Sequence, residues 1–577
     1  MTAADGKTYY QPCTVSGVYN LYKYTGDVIT IVPVVTAADG TTLTTDADYT
    51  VAVSPATVQD KGDYTLTVSG KGDYVGTATF SFVVTDECAV TSELMTLEGG
   101  ITYKVTKDVT VLERITVKGD AELWLDAGAT LTAHGGIELS GGNSLVIDGP
   151  GALLIDKCAS SKSGIGAYRV GQLTINDGTI TVTGGTYGAA LGGDRHNCAG
   201  GSITINGGTV TATGGDKAAA IGGGYDDWSG NYGLCGDITI NGGQVTATGS
   251  NSAPGIGPGC ENGEQQHYGS GTLTLGWTSP TDFISNSGFT NDMGSTLESI
   301  AFADGKVFVL DGTTTLATAD NIAGQKIVPA LTLNDRDDNS STIETYDSET
   351  MAVVLSDRTL YKDGAWNTLC LPFDVTISGS VLDGAVVKTL SSSDYDSETG
   401  ILTLNFTESL TEIEAGKPYI VKWNGDGTQN IVSPIFEGVT ISSTAATETD
   451  GSGWVDFVGT YSPTVIYENG SEKHNLYLGS SNKLYYPTRE DFMVNACRAY
   501  FRLKNGLTAG EPSAPQQALA RAFVLNFGDG EPSAISTLRA DTAPAADGTY
   551  TLDGRRLTGK PTAKGLYIVN GKKIIIK

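Results

Sequence analysis

Three short polar stretches of this chain contain the side chains that are best suited to chemistry. We call residues 194–198, 225–235 and 260–268 the corner insertions. Their candidate ligand-binding residues are His196, Tyr225, Trp228, Asn231, Tyr232, Gln265, His267 and Tyr268. Aromatic rings can cover the CH-rich faces of sugars, whereas amides and imidazoles can bond the hydroxyl edges. These residue types therefore favour a carbohydrate ligand, although the same aromatic rings could instead pack the insertions onto a scaffold.

Four carboxylates in the same insertions could hold a metal ion. They are Asp194, Asp226, Asp227 and Glu261. Calcium prefers hard oxygen ligands, so Ca²⁺ is the cofactor that this set would take. The alternative is that these acids are ordinary solvated loop residues.

Catalysis would need a poised proton donor or acceptor. Arg195 and His196 beside Asp194 form the one constellation that could abstract a proton. Hydrolysis with inversion would need two carboxylates about 6.5–9.5 Å apart, one of them a raised-pKa acid, and nothing marks such a pair. We therefore assign no catalytic residue. A calcium-dependent polysaccharide lyase and a structural stalk that binds no glycan remain the alternatives.

The corner insertions interrupt an internal repeat. Its copies are LTINDGTITVTGGTYGAALGG from Leu173, ITINGGTVTATGGDKAAAIGG from Ile203 and ITINGGQVTATGSNSAPGIGP from Ile238. Within each copy, the step from the first apolar anchor to the third is constant at 16 residues (175 to 191, 205 to 221, 240 to 256). The return step varies from 12 to 17 residues (191 to 203, 221 to 238). All length variation therefore falls at one corner of a repeating unit.

This pattern predicts a right-handed parallel β-helix whose coils contain three short strands each. Alternation of apolar and polar residues places four anchors inside: Ile175, Ile205, Ile240 and Leu275. Asn176, Asn206 and Asn241 recur after the first strand, where stacked side chains can form a ladder. An Asn-Gly-Gly turn could instead mark antiparallel hairpins, but hairpins do not explain the constant step.

The flanking segments are also rich in strand-forming residues, so the predicted class is all-β. We expect an immunoglobulin-like β-sandwich over 1–86, the β-helix with a C-terminal cap over 87–332, a second sandwich or jelly roll over 341–530, a linker over 531–548 and a small β module over 549–577. Asp60 to Tyr64 has the D-x-G-x-Y form of a tyrosine corner.

Several sequence segments resemble known protein domains. The phrase ITINGGTVTATGG…AAIGGG resembles the β-helical carbohydrate-binding domains of bacterial surface proteins. That resemblance implies binding of plant or host mucosal polysaccharide, with Ca²⁺ sites in the solenoid. DADYTV and GKGDYVGTATFSF resemble bacterial immunoglobulin-like repeats, which are usually spacers. The end of the chain, from YTLDGRRL onward, resembles the sorting domains of type IX secretion in Bacteroidetes, although it could be a terminal hairpin without an export role.

Composition limits the possible partners and compartment. The formal net charge is −29 and no basic stripe occurs, so we expect no nucleic-acid partner. No run approaches the roughly 20 apolar residues of a membrane span, so we expect no membrane insertion. The first residues lack the apolar run of a signal peptide. We nevertheless expect an extracellular or cell-surface protein whose leader has been removed.

The eight cysteines are even in number and form no CxxC pair, which disfavours structural zinc and permits disulfides. Cys198–Cys235 and Cys370–Cys497 are candidate pairs, although sequence cannot fix the pairing.

Overall fold

The computed structural model describes most residues of the chain. They are 13–19, 21–196, 201–226, 234–250, 252–260, 271–292, 294–425, 429–450, 453–479, 482–515, 517–528, 536–540, 549–551, 556–557, 565–569 and 572–576. The chain forms two compact units, one of 1–311 with 316–329 and one of 312–315 with 330–577. The one helix of the described residues is Ser340–Thr345, so the predicted all-β class is confirmed.

A parallel β-helix with three sheets forms most of the first unit. The first sheet contains Glu87–Ala89, Thr102–Val105, Asp120–Leu125, Ser144–Asp148, Gln172–Ile175, Ser202–Ile205, Asp237–Ile240, Thr272–Leu275 and Ser299–Phe302. The second contains Val109–Val111, Thr130–Ala133, Ala152–Ile155, Thr179–Thr183, Thr209–Thr213, Gln244–Thr248 and Phe283–Asn286. The third contains Thr96–Glu98, Ile115–Lys118, Ile137–Glu138, Ile165–Ala167, Leu191–Gly193, Ile221–Gly222 and Ile256–Gly257.

The predicted interior stack is confirmed. Ile175, Ile205, Ile240 and Leu275 are successive partners in one parallel register, and each is fully buried. Antiparallel hairpins at the Asn-Gly-Gly turns are therefore excluded. One coil cannot bury its own apolar face, so each coil depends on its neighbours for stability.

The asparagine ladder is also present. The side-chain amide of Asn241 donates to Asn206 Oδ1 (2.8 Å), and that of Asn206 donates to Asn176 Oδ1 (2.9 Å). Asn176 in turn donates to Asp148 Oδ2 (3.1 Å), which ends the ladder at a carboxylate. Each rung satisfies amide groups that the turn would otherwise leave unpaired.

A column of glycines closes the third strand of successive coils. Their φ angles lie between 133° and 145°, a backbone region that residues other than glycine rarely adopt. The four glycines are Gly166, Gly192, Gly222 and Gly257. A Cβ atom on Gly192 would also overlap the carbonyl oxygen of Gly222 in the next coil. Glycine is therefore required here both by conformation and by the close approach of neighbouring backbones.

The N-terminal part of the first unit is a small β-sandwich. Its strands are Thr14–Ser16, Leu21–Lys23, Val34–Thr36, Tyr49–Ser54, Gly62–Gly70 and Thr77–Thr85. The hydroxyl of Tyr64 donates to the carbonyl oxygen of Asp60 (2.9 Å), which is the bond expected of a tyrosine corner. Beyond the last coil, Val307–Leu310 and the start of Lys326–Asn334 follow the solenoid, and the indole of Trp277 donates to Val307 O (3.0 Å).

Short strands also form the second unit. They are the end of Lys326–Asn334, then Thr350–Ser356, Thr359–Leu360, Asn367–Cys370, Val375–Thr376, Val386–Lys388, Leu390–Asp396, Ile401–Phe406, Glu412–Ile413, Pro418–Lys422, Ile431–Val432, Ile435–Thr440, Glu448–Asp450, Val455–Thr460, Thr464–Val465, Asn475–Gly479, Lys483–Tyr486, Met493–Val494, Arg498–Leu503, Leu507–Thr508, Ala518–Leu519, Ala522–Asn526, Ser536–Thr537 and Arg539–Ala540. The last four strands, Thr549–Thr551, Arg556–Leu557, Gly565–Val569 and Lys572–Ile576, pair in one antiparallel sheet.

No helix in the described part of the chain has both the length and the apolar character needed to cross a membrane.

The glycine column yields a stability prediction. We expect Gly192→Ala to lower the free energy of unfolding by about 3 kcal/mol or more, because it adds a backbone clash to an unfavourable φ. Gly128→Ala is the matched control, since Gly128 also has positive φ (77°) but no atom lies within 4 Å of its Cβ position. Denaturant titration of both variants measures the difference, and equal losses would contradict the role of close backbone approach.

Candidate functional site

In two successive coils, the chain turns back on itself around the short third strand. At this reversal, Ala189 N donates to Gly193 O (2.9 Å), and one coil later Ala219 N donates to Gly223 O (3.0 Å). The positive-φ glycine lies inside each of these turns. The residues that follow are thereby brought alongside the turns that lead into the third strands, and the corner insertions begin there.

The starts of the three corner insertions are held in register. Arg195 N donates to Ser161 O, Tyr225 N to Tyr187 O and Cys260 N to Lys217 O, each at 2.9 Å and each to a turn of the preceding coil. Neighbouring insertions also bond to one another, because His196 N donates to Tyr225 O (2.7 Å) and Asp226 N to Cys260 O (3.0 Å). The described first residues of these insertions therefore form one continuous hydrogen-bonded row across three coils.

Asp194 is the first residue of the insertion 194–198 and is 3% exposed. Its Oδ1 accepts from the backbone N and the hydroxyl of Ser163, both at 2.7 Å, and its Oδ2 accepts from Lys162 Nζ at 2.7 Å. The guanidinium of Arg114 lies 3.7 Å away and bonds backbone carbonyls of two other coils. Asp194 is thus a buried anion with cations beside it, and it ties several coils together.

His196 and Asp226 occupy equivalent positions on successive coils. His196 Nδ1 lies 3.2 Å from Asp226 Oδ1, and Asp226 is 2% exposed. Asp194 belongs to a different column, because a Cβ on Gly224 would overlap the carbonyl oxygen of Asp194. The structure therefore places His196 against Asp226 rather than placing Asp194 and Asp226 side by side.

Two tyrosines and two cations form a stack along this corner. The rings of Tyr187 and Tyr225 have centroids 5.3 Å apart. The guanidinium of Arg195 lies 5.0 Å from the Tyr187 centroid, and Lys217 Nζ lies 4.6 Å from the Tyr225 centroid. Tyr225 is only 6% exposed, so its ring chiefly packs the insertion onto the solenoid, which is the alternative that the sequence left open. Tyr187 is half-buried and presents more of its surface.

Sequence reasoning did not single out Tyr187, because it lies in a turn before the third strand rather than in an insertion. The signal that could have identified it is the glycine pair at the end of the third strand, Gly192 and Gly193, where the chain turns back toward that turn.

The remaining candidate residues lie outside the described residues. They are Asp227, Trp228, Asn231, Tyr232, Glu261, Gln265, His267 and Tyr268. Cys198 also lies outside them, so its pairing with Cys235 stays a prediction. Cys260 is buried, its thiol donates to Ser252 O (2.9 Å), and burial raises its pKa to about 12.

The described carboxylates do not fit a calcium site. Among the described residues, no three His, Cys, Asp or Glu side chains come together as metal ligands. The acceptors of Asp194 are already used by Ser163 and Lys162, and a Ca²⁺ ion there would have to displace the lysine. The calcium prediction otherwise depends on Asp227 and Glu261.

Comparison with known proteins agrees with the fold. A family model described as a beta helix repeat matches residues 203–225 and 238–260, which span two of the three repeats. No curated protein gave a significant match to the chain. No solved structure did so either.

The buried anion yields a second prediction. We expect Lys162→Met to lower the free energy of unfolding by roughly 1–3 kcal/mol, because it removes a donor from a buried carboxylate. Adding Asp194→Asn should recover part of that loss, since the uncompensated charge is then absent. The control is Lys118→Met, because Lys118 pairs with Glu98 at 3.7 Å and its side chain is 59% exposed. Denaturant titrations that show equal losses for Lys162→Met and Lys118→Met would contradict the assignment.

Proposed function

We propose that this chain is a secreted or surface-attached, non-catalytic carbohydrate-binding protein or adhesin that holds a plant or host polysaccharide at the corner insertions. The observation that carries the proposal is the register of these insertions. Their first residues are fixed coil by coil through backbone hydrogen bonds. The three insertions therefore begin at regularly spaced points along the solenoid. Binding residues on loops above a rigid scaffold are the usual arrangement in proteins.

A polymer suits this surface better than a small ligand does. Coils stack about 4.8 Å apart, so three insertions offer an extended row of contacts rather than a closed pocket. The described part of the row includes the half-buried Tyr187, Arg195 and His196, whose aromatic and hydrogen-bonding side chains are of the types that contact sugars. Trp228, Asn231, Tyr232, Gln265, His267 and Tyr268 belong to the same insertions and would extend it.

The carboxylates favour binding over catalysis. Asp194 and Asp226 are both almost fully buried. The first lies against the Lys162 ammonium group and the second against the His196 ring. A general acid or nucleophile for a glycoside must reach the bond that it cleaves. Neither carboxylate presents such a group at the surface.

The direct test is retention on a glycan panel. We expect wild type to be retarded in affinity gels containing pectic, cellulosic or mucin-type polysaccharide. Trp228→Ala should lose roughly tenfold in affinity, because it removes a stacking face of about 1–2 kcal/mol. Trp124→Ala is the matched control, since Trp124 lies half-buried on the first sheet, where its indole donates to Asp126.

Melting curves and product analysis distinguish the other outcomes. A large fall in melting temperature with unchanged retention would show that Trp228 packs its insertion. Absence of retention on every glycan would favour a stalk, and release of cleaved sugars would favour a lyase or hydrolase. Repeating the gels with EDTA and with added Ca²⁺ tests the calcium prediction through retention and melting together.

We also propose that the chain acts outside the cell and that its C-terminal sheet serves export. The acidic composition suits an extracellular protein. Residues 549–577 resemble type IX sorting domains, so type IX secretion is the export route that we propose. Deleting 565–577 removes two strands of this sheet. We expect the truncated protein to keep the melting transitions of its other parts but to fail to reach the surface of its native host. Normal delivery of the truncated protein would remove the export proposal.

A further inference from the structure

Two buried cysteines meet in the second unit. Cys370 ends the strand Asn367–Cys370, and Cys497 directly precedes the strand Arg498–Leu503. The backbone N of Cys370 donates to the carbonyl oxygen of Cys497 at 3.2 Å. Their exposures are 0% and 3%, and both are thiols in this structure.

The separation of their backbones suits a covalent bond. A direct backbone N–H···O bond holds two residues at roughly the spacing of neighbouring strands, about 4.5–5.5 Å between Cα atoms. Disulfides span Cα separations of about 4.4–6.8 Å. Cys497 also has a φ of 55°, which is unfavourable for a residue with a side chain. Such a conformation persists only where neighbouring contacts fix it, and a cross-link to Cys370 would be one of them.

The surroundings leave these thiols few other roles. The thiol of Cys370 donates weakly to Gly416 O (3.5 Å), and a Cβ on Gly459 would overlap its sulfur. The nearby carboxylate of Asp335 accepts from Arg498 (2.7 Å) and Asn495 (2.8 Å), so it does not complete a metal site with the sulfurs. Two buried cysteines whose backbones are hydrogen-bonded, and which belong to no metal-ligand set among the described residues, are suited to a structural cross-link.

We propose that Cys370 and Cys497 form a structural disulfide that links these two strands when the chain folds in an oxidising compartment. The oxidant is a small-molecule or protein disulfide, R–S–S–R. One cysteine thiolate attacks it and releases RS⁻, and the second thiolate then attacks the mixed disulfide and releases another RS⁻. Two cysteine thiols are thereby oxidised, one disulfide is reduced to two thiols, and the two cysteine protons pass to the RS⁻ groups.

We expect the bond to form before burial of the two thiols is complete. Burial raises the pKa of Cys370 far above its usual range and that of Cys497 to about 12, although the guanidinium of Arg358 opposes the rise at Cys497. Buried thiols are therefore poor nucleophiles in the folded protein. Oxidation is accordingly expected during folding, and the finished bond is expected to resist reductants until the unit unfolds.

Peptide mapping of the full chain tests the pairing. The reduced, unfolded protein is refolded with oxidised glutathione, alkylated in denaturant without reduction and digested with trypsin. The expected product is a cross-linked pair of the peptides 363–388 and 490–498, which contain Cys370 and Cys497. Recovery of both peptides in singly alkylated form, or linked to other cysteines, would overturn the proposal.

Melting curves supply a second readout. The oxidised wild type should melt about 5–15 °C above the protein refolded with reductant, because the cross-link constrains a long loop of the unfolded chain. Measured in a Cys198→Ala/Cys235→Ala background, which removes the other candidate pair, the double variant Cys370→Ala/Cys497→Ala should lose this redox difference, whereas Cys13→Ala/Cys88→Ala should keep it. A redox shift that survives in the first double variant, or that is missing in wild type, would also overturn the proposal.

Discussion

Parallel pairing of each coil on the next is the interaction on which the rest of the solenoid depends. It sets a spacing of about 4.8 Å and aligns equivalent residues with their counterparts one coil away. Interior positions must then be apolar on every coil, as the stack of Ile175, Ile205 and Ile240 shows. Polar turn residues must likewise pair with their counterparts on the neighbouring coil, as the asparagines of the ladder do.

The same constraint shapes the candidate site. Because the backbones of successive third strands approach so closely, glycine is needed where each strand ends, and its positive φ turns the chain back toward the preceding turn. That reversal brings Tyr187 against Tyr225 and Arg195 against Ser161. The corner insertions can vary in length because they start only after this fixed reversal. A regular scaffold and a variable surface thus arise from one repeating geometry.

Much of the fold could be predicted from sequence, because its determinants are local and repeated. The constant 16-residue step and the recurring Asn206 and Asn241 identified coils, strands and ladder without any tertiary information. The site could be predicted only in part. The partners of Asp194 are Lys162 and Arg114, which lie 32 and 80 residues earlier in the sequence (194 − 162 and 194 − 114), and no local pattern indicates either pairing. Burial of Tyr225 likewise depends on Tyr187 and Lys217, which approach it only after the chain reverses.

We propose that a polysaccharide lies across the corner insertions of the solenoid. Hydrogen–deuterium exchange of the full chain, with and without the polysaccharide that best retains it, measures this most directly. We expect the polysaccharide to slow exchange in peptides covering 185–200, 215–235 and 250–270, while peptides from the outward faces of the first and second sheets exchange as before. Protection confined to those sheets or to the second unit, with no change at the corner insertions, would contradict it.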